Sequence, residues 1–174
     1  MAATEKKNIW CYSTEDGLGV EVQTQLIAAS QGLWMPNTPF YVSQAGTLKL
    51  SDTADGTGDS YHGLALRDID AELSANAKVR IGMIEVNDTY AVYLENNGTD
   101  LAESQAYVGD QYGLKVSSTA GQIGYTTLDI NNANACVQVV DIMSNRDSVK
   151  FDTSTTPGVA LVRFLSTVVK TTRA

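Results

Sequence analysis

The chain predicts an all-β fold, a small barrel or sandwich with at most one or two short helices. Three observations carry that expectation. Short apolar runs rich in Val, Ile, Tyr and Leu recur at spacings of roughly 8–15 residues, separated by Gly, Asn, Asp and Ser. Charged residues make up 18% of the chain, below the usual value of about a quarter, while small polar residues are plentiful. The stretch 79–116, VRIGMIEVNDTYAVYLENNGTDLAESQAYVGDQYGLKV, shows three β-rich runs divided by turn signals. The chain's 174 residues suffice for one real core and are short for two.

Taken in order, residues 1–16 mix charge with the cluster Ile9-Trp10-Cys11-Tyr12, which is expected to dock on its own domain or on a neighbour. From Leu18 to Trp34, Val20 and Val22 alternate as in a strand. Leu18, Val22, Leu26, Ala29 and Leu33 instead lie at helical spacing, and the expectation is a short helix or ordered arm stopped by Gly32 and Pro36. Pro36-Asn37-Thr38-Pro39 reads as a connector, dividing an N-terminal arm (1–38) from a β-domain (39–174). Strands follow at Phe40-Tyr41-Val42, at Thr47–Leu50 and, after the Asp- and Gly-rich loop 51–63, at Gly63–Leu66.

Within 79–116, Val79, Ile81 and Met83 alternate with Arg80 and Gly82, as a half-buried strand requires. Met83 and Ile84 are then adjacent, a phase slip that implies a bulge or a strand buried on both faces. Tyr90–Leu94 resumes the strand, and Asn97-Gly98 supplies two residues tolerant of positive φ for a tight hairpin. Leu101–Ala106 is too polar for an immediate return strand and reads as an excursion. Tyr107-Val108-Gly109 with Tyr112–Val116, the run from Gly121 to Ile130, Ala135–Met143 and Val159–Val169 complete the set, with Val149-Lys150-Phe151 as a further short run.

The net charge is −8, and residues 51–110 hold twelve acidic and three basic side chains. A phosphate-binding surface needs clustered Lys and Arg, so nucleic acid is not an expected partner. Neither is a membrane, because no apolar run approaches the roughly 18 residues of a span. No apolar stretch of signal-peptide length follows Lys6 and Lys7, and Cys11 and Cys136 lie 125 positions apart. The expected setting is a cytosolic site of synthesis with free thiols and no disulfide framework.

Chemistry is sparse. His62 is the only histidine, which leaves no hydrolase triad or multi-histidine metal site to assemble. Asp52, Asp55 and Asp59, with Gly56 and Gly58, have the oxygen donors and flexibility for calcium, but not the spacing of a known calcium loop. Asp68, Asp70 and Glu72 are carboxylates with no sign of a shared cleft. No catalytic residue, metal ligand or cofactor is assigned, and the chain is not expected to be an enzyme.

From about Phe40 to Val169 the order of elements resembles the capsid decoration, or cement, proteins of tailed bacteriophages. The resemblance runs through YVSQAGTLKL, GLAL, IGMIEVNDTYAVYL, YVGDQYGLKV, GYTTLDI, ACVQVVDIM and VALVRFL. Gly63-Leu64-Ala65 precedes paired strands, Val108 to Leu114 forms a Val-Gly-x-x-Tyr-Gly-Leu element, and Phe164-Leu165 closes the last strand. The resemblance implies a β-tulip-like body on the outside of a phage head, made in the host cytoplasm. It implies trimers that bridge neighbouring major capsid protein subunits and stabilise the shell. Residues 1–38 are less well covered and would form an arm along the capsid, with Ile9, Trp10, Tyr12, Leu33 and Trp34 as the partner contacts. A second expectation is a carbohydrate- or receptor-binding β-module of a tail or host surface, using Tyr61, Tyr90, Tyr93, Tyr107 and Tyr112 for sugar stacking.

Overall fold

The computed structural model describes residues 8–29, 31–43, 45–51, 61–67, 73–117, 125–143 and 157–169. Among the described residues the alternating runs resolve into twelve strands in two sheets, and the fold is all-β. The first sheet contains β1 (Trp10–Ser13), β7 (Thr89–Asn96), β8 (Thr99–Asp100), β9 (Gln111–Val116), β10 (Thr126–Asp129), β11 (Val137–Ile142) and β12 (Val159–Phe164). The second contains β2 (Val22–Leu26), β3 (Pro39–Val42), β4 (Leu48–Leu50), β5 (Gly63–Ala65) and β6 (Lys78–Met83). The one described helical turn is a 3-10 turn at Gln105–Tyr107, which overlaps the end of the expected excursion and takes Tyr107 out of the paired run expected at Tyr107-Val108-Gly109.

Five strands of the first sheet close into a barrel. β7 pairs with β10 in parallel; β10, β9, β11 and β12 follow in antiparallel pairs, and β12 returns to β7. Closure removes the sheet edges that would otherwise recruit other chains. Tyr90, Val92 and Leu94 of β7 point into the barrel, where they meet Leu114, Leu128, Val137, Val139, Val162 and Phe164. The Phe164 ring lies 5.2 Å from Tyr90, edge on, and 5.1 Å from Tyr61. The alternate residues Ala91 and Tyr93 face outward and pack with Val159 and Met143 under Trp10 and Leu161. β7 is therefore buried on both faces, which explains its nearly unbroken apolar run.

The second sheet runs β2-β6-β5-β3-β4, antiparallel throughout. Its inner face gathers Phe40, Leu48, Ala65, Val79, Ile81 and Met83 with Ile27 and Trp34. The phase slip at Met83-Ile84 now has a physical cause. Met83 ends β6 in this second core, while Ile84 donates its N–H to the His62 carbonyl (3.0 Å) and enters the barrel core. Two adjacent apolar residues serve two different interiors.

The Asn97-Gly98 hairpin forms as the sequence predicts, with φ of 50° and 90° and the pair Asn96–Thr99 closing the turn. Two buried carboxylates hold it. Glu95 Oε1 accepts from Gly98 N (3.2 Å) and Lys115 Nζ (3.0 Å), and Asp129 Oδ1 accepts from Asn97 N (3.0 Å) and Asn131 N (3.0 Å).

Two expectations for the N-terminal segment need correction. No helix forms among the described residues of 18–34: Gly17, Gly19 and Gly32 adopt φ of 68°, 92° and 71°, and residues 22–26 extend as β2 against β6. The helical stripe was not a buried face, since Leu18, Val22, Leu26 and Leu33 are all exposed. Nor is 1–38 an arm apart from a β-domain at 39–174, because β1 extends the barrel sheet beside β7 and β2 completes the second sheet. The runs at 51–60, 68–72 and 149–151 lie outside the described residues, apart from Ser51.

Candidate interaction surface

The five side chains expected to contact a partner divide by burial. Ile9 is 0% exposed and belongs to the barrel core; Trp34 is 3% exposed and packs edge-on against Phe40 at 5.2 Å in the second core. Burying such side chains stabilises the fold by roughly 1.5–3 kcal/mol each, so neither is available as an anchor for a partner. Trp10 is half-buried, edge-on to Tyr93 at 6.2 Å. Tyr12 and Leu33 are each 46% exposed and remain open to a partner. Of the five expected contacts, Ile9 and Trp34 are therefore core residues, while Tyr12 and Leu33 lie on the surface.

The β1–β7 and β2–β6 pairings bring two acidic segments together that the sequence separates by more than sixty positions. Glu15, Asp16 and Glu21, from the β1–β2 connection, meet Glu85 and Asp88, from the β6–β7 turn. With Thr14, Leu18 and Gly19 they line a groove of about 290 Å³. No lining residue is basic. Asp88 is buried and its Oδ1 accepts from Glu15 N (3.0 Å), while Asn87 Nδ2 donates to Glu15 Oε2 (2.7 Å). Among the described residues no group of three or more His, Cys, Asp or Glu side chains is placed to hold a metal ion. The groove was not legible from spacing, because its carboxylates converge only through strand pairing.

Cys11 lies beside this groove, opposite Tyr90 in the β1–β7 ladder. Burial, and then the Asp88 charge, push its thiol up to about 11, so it is largely protonated at neutral pH and a poor nucleophile. Tyr90 Oη accepts from Glu85 N (3.3 Å), and burial raises this phenol well above its ordinary range. Cys136 is buried; its Sγ accepts from Leu114 N (3.2 Å) and lies 3.7 Å from Tyr61 Oη.

His62 is 2% exposed, with its N–H on the Phe40 carbonyl (2.8 Å) and its carbonyl on Ile84, which places it between the two cores. Of the tyrosines considered for sugar stacking, Tyr61, Tyr90 and Tyr93 are core residues. Tyr107 and Tyr112 are half-buried, 6.1 Å apart edge-on, and Tyr112 Oη donates to Asp110 Oδ2 (3.2 Å). Burial and that hydrogen bond raise the Tyr112 phenol. Asp52, Asp55, Asp59, Asp68, Asp70 and Glu72 lie outside the described residues. Among the described residues no helix is long and apolar enough to cross a membrane. No family model, no curated protein and no solved structure matches the chain.

Proposed function

We propose that this protein is a virion structural protein, a decoration or cement protein. In this reading it binds the outside of a phage head as a trimer and bridges major capsid subunits to stabilise the shell. One observation carries the reading: of seven exposed large hydrophobics among the described residues, five (Tyr12, Leu18, Val22, Leu26 and Leu33) fall within residues 12–33. That is the segment the resemblance assigns to capsid contact. Both cores are filled by the protein's own side chains, so among the described residues apolar contact with a partner draws on this exposed set. The Val108–Leu114 element that carries part of the resemblance has a packing role. Gly109 adopts φ of 94° and donates its N–H to Val139 O (2.9 Å), while a Cβ on Gly113 would lie 2.4 Å from the Asn132 side chain. Repetition around a shell converts modest single-site affinity into strong retention.

The test is reconstitution. Heads lacking the protein should lose resistance to heat or chelators, and added protein should restore it. Tyr12→Ala with Leu33→Ala should weaken head binding about tenfold or more while leaving the fold intact. Failure of the wild-type protein to bind heads would sink the reading. The carbohydrate-binding alternative rests on the Tyr107–Tyr112–Asp110 group alone, and glycan-array binding that disappears with Tyr112→Ala would promote it.

A further inference from the structure

β2 is a margin of the second sheet, and one of its edges carries backbone groups that no strand among the described residues uses. The Glu21 carbonyl accepts from Met83 N (2.7 Å), and Ile27 N donates to Ala77 O (3.0 Å). Odd-numbered residues therefore face β6 along this antiparallel ladder, and the N–H and C=O groups of Val22 and Thr24 point away from the sheet. Among the described residues no strand pairs with them there. The strand VQTQL has no charge, no proline and no bulge, and so lacks the usual guards against strand addition. Val22 and Thr24 are exposed, and Val20 and Leu66 pack over Gly82 on the adjoining outer face.

The edge is open in one direction only. Beyond Leu26 it is occupied by β4, where Ala28 N donates to Leu48 O (2.9 Å) and Ile27 bridges Leu48. An added strand must extend the other way, past Val22. There Glu21 immediately precedes β2 and lines the acidic groove. A second copy of the chain would bring another net charge of −8 and another Glu21 to this place. A basic segment instead gains from the same carboxylates.

We propose that the free edge of β2 is a strand-addition site for an extended basic segment of a partner protein. The segment's main chain pairs with Val22 and Thr24, and its Lys or Arg side chains lie in the groove lined by Glu15, Asp16, Glu21 and Glu85. The inference stands apart from the capsid reading, since it names a backbone-mediated site that no part of that reading requires.

The experiment measures amide hydrogen exchange in the intact protein with two synthetic peptides at about 1 mM, Lys-Arg-Lys-Thr-Val-Thr-Val and the reverse order, both with blocked ends. One of the two should slow exchange at the Val22 and Thr24 amides about tenfold. Peptides N-methylated at alternate amides, or carrying Glu in place of Lys and Arg, should not. Glu21→Gln with Asp16→Asn should weaken binding, as should raising salt from ~0.05 to ~0.5 M. The proposal is overturned if neither peptide protects these amides, or if the Glu peptide binds equally well. It is also overturned if both amides are already protected in the protein alone and sedimentation shows a dimer, which assigns the edge to a second copy.

Discussion

Asn8 does more for this fold than its place before a short strand announces. Its side chain is buried, with Oδ1 accepting from Ile9 N (2.9 Å) and Thr126 N (2.8 Å) and Nδ2 donating to Pro36 O (2.9 Å). β1 and β10 lie along the same edge of β7, and this one amide joins the entry of β1 to the first residue of β10. Asn8→Ala leaves two N–H groups and a carbonyl without their partner, and should cost about 2–4 kcal/mol in urea denaturation. Cys11 makes a second prediction. Its thiol is raised from 9.0 to about 11, so the folded chain holds this proton more tightly than the unfolded one. The resulting stability is complete below about pH 9 and is lost as pH climbs toward about 11. Denaturation midpoints of Cys11→Ala should therefore fall less steeply across that window than those of the wild type. Equal slopes would show that Cys11 does not titrate there.

Among the strands, two glycines mark close approaches of different kinds. A Cβ at Gly158, just before β12, would lie 2.4 Å from Glu103 N and 2.7 Å from Glu103 Cα, both backbone atoms. That backbone is tied to the β7–β8 region by Gly158 N donating to Leu101 O (2.7 Å) and Leu94 N donating to Gly158 O (2.9 Å). At Gly113 in β9 the obstacle is the Asn132 side chain, whose Nδ2 donates to Leu114 O (3.2 Å). Both Gly→Ala changes should destabilise by about 1–3 kcal/mol, as overpacking does. Adding Asn132→Ala should relieve the penalty at Gly113, because a side chain can be removed. No side-chain substitution should relieve Gly158→Ala, and a double-mutant cycle distinguishes the two cases.

Across the molecule, the two cores are expected to melt together. Tyr61 and Leu64 precede and enter β5 yet belong to the barrel core, while Ala65, next along the chain, belongs to the second. Asn8 ties the barrel to Pro36, and Met83-Ile84 passes directly from one interior to the other. The tryptophans make this measurable, since Trp34 reports on the second core and Trp10 on the outer face of the barrel. Trp34→Phe removes no hydrogen bond among the described residues, because its buried Nε1 has no partner there. Unfolding followed by fluorescence of Trp10→Phe and Trp34→Phe should give one cooperative transition in each, at midpoints that match circular dichroism of the same variant. A fluorescence midpoint that departs from the backbone signal would show that the sheets unfold separately.

Period-two patterning, the Asn-Gly turn and the low charge were enough to predict the strands and the hairpin, because these depend on neighbours within a few residues. The same local signal misread 18–34. Leu18, Val22, Leu26 and Leu33 sit at helical spacing, but Gly17 and Gly19 favour left-handed backbone and the β6 ladder accepts the segment as a strand. Spacing also could not say which apolar residues face inward. Ile9 and Trp34 look like Tyr12 and Leu33 in sequence and differ only in what lies across from them. The acidic groove and the open edge of β2 were equally hidden. Each is made by strand pairings between residues dozens of positions apart, and such pairings are settled by packing the whole chain at once.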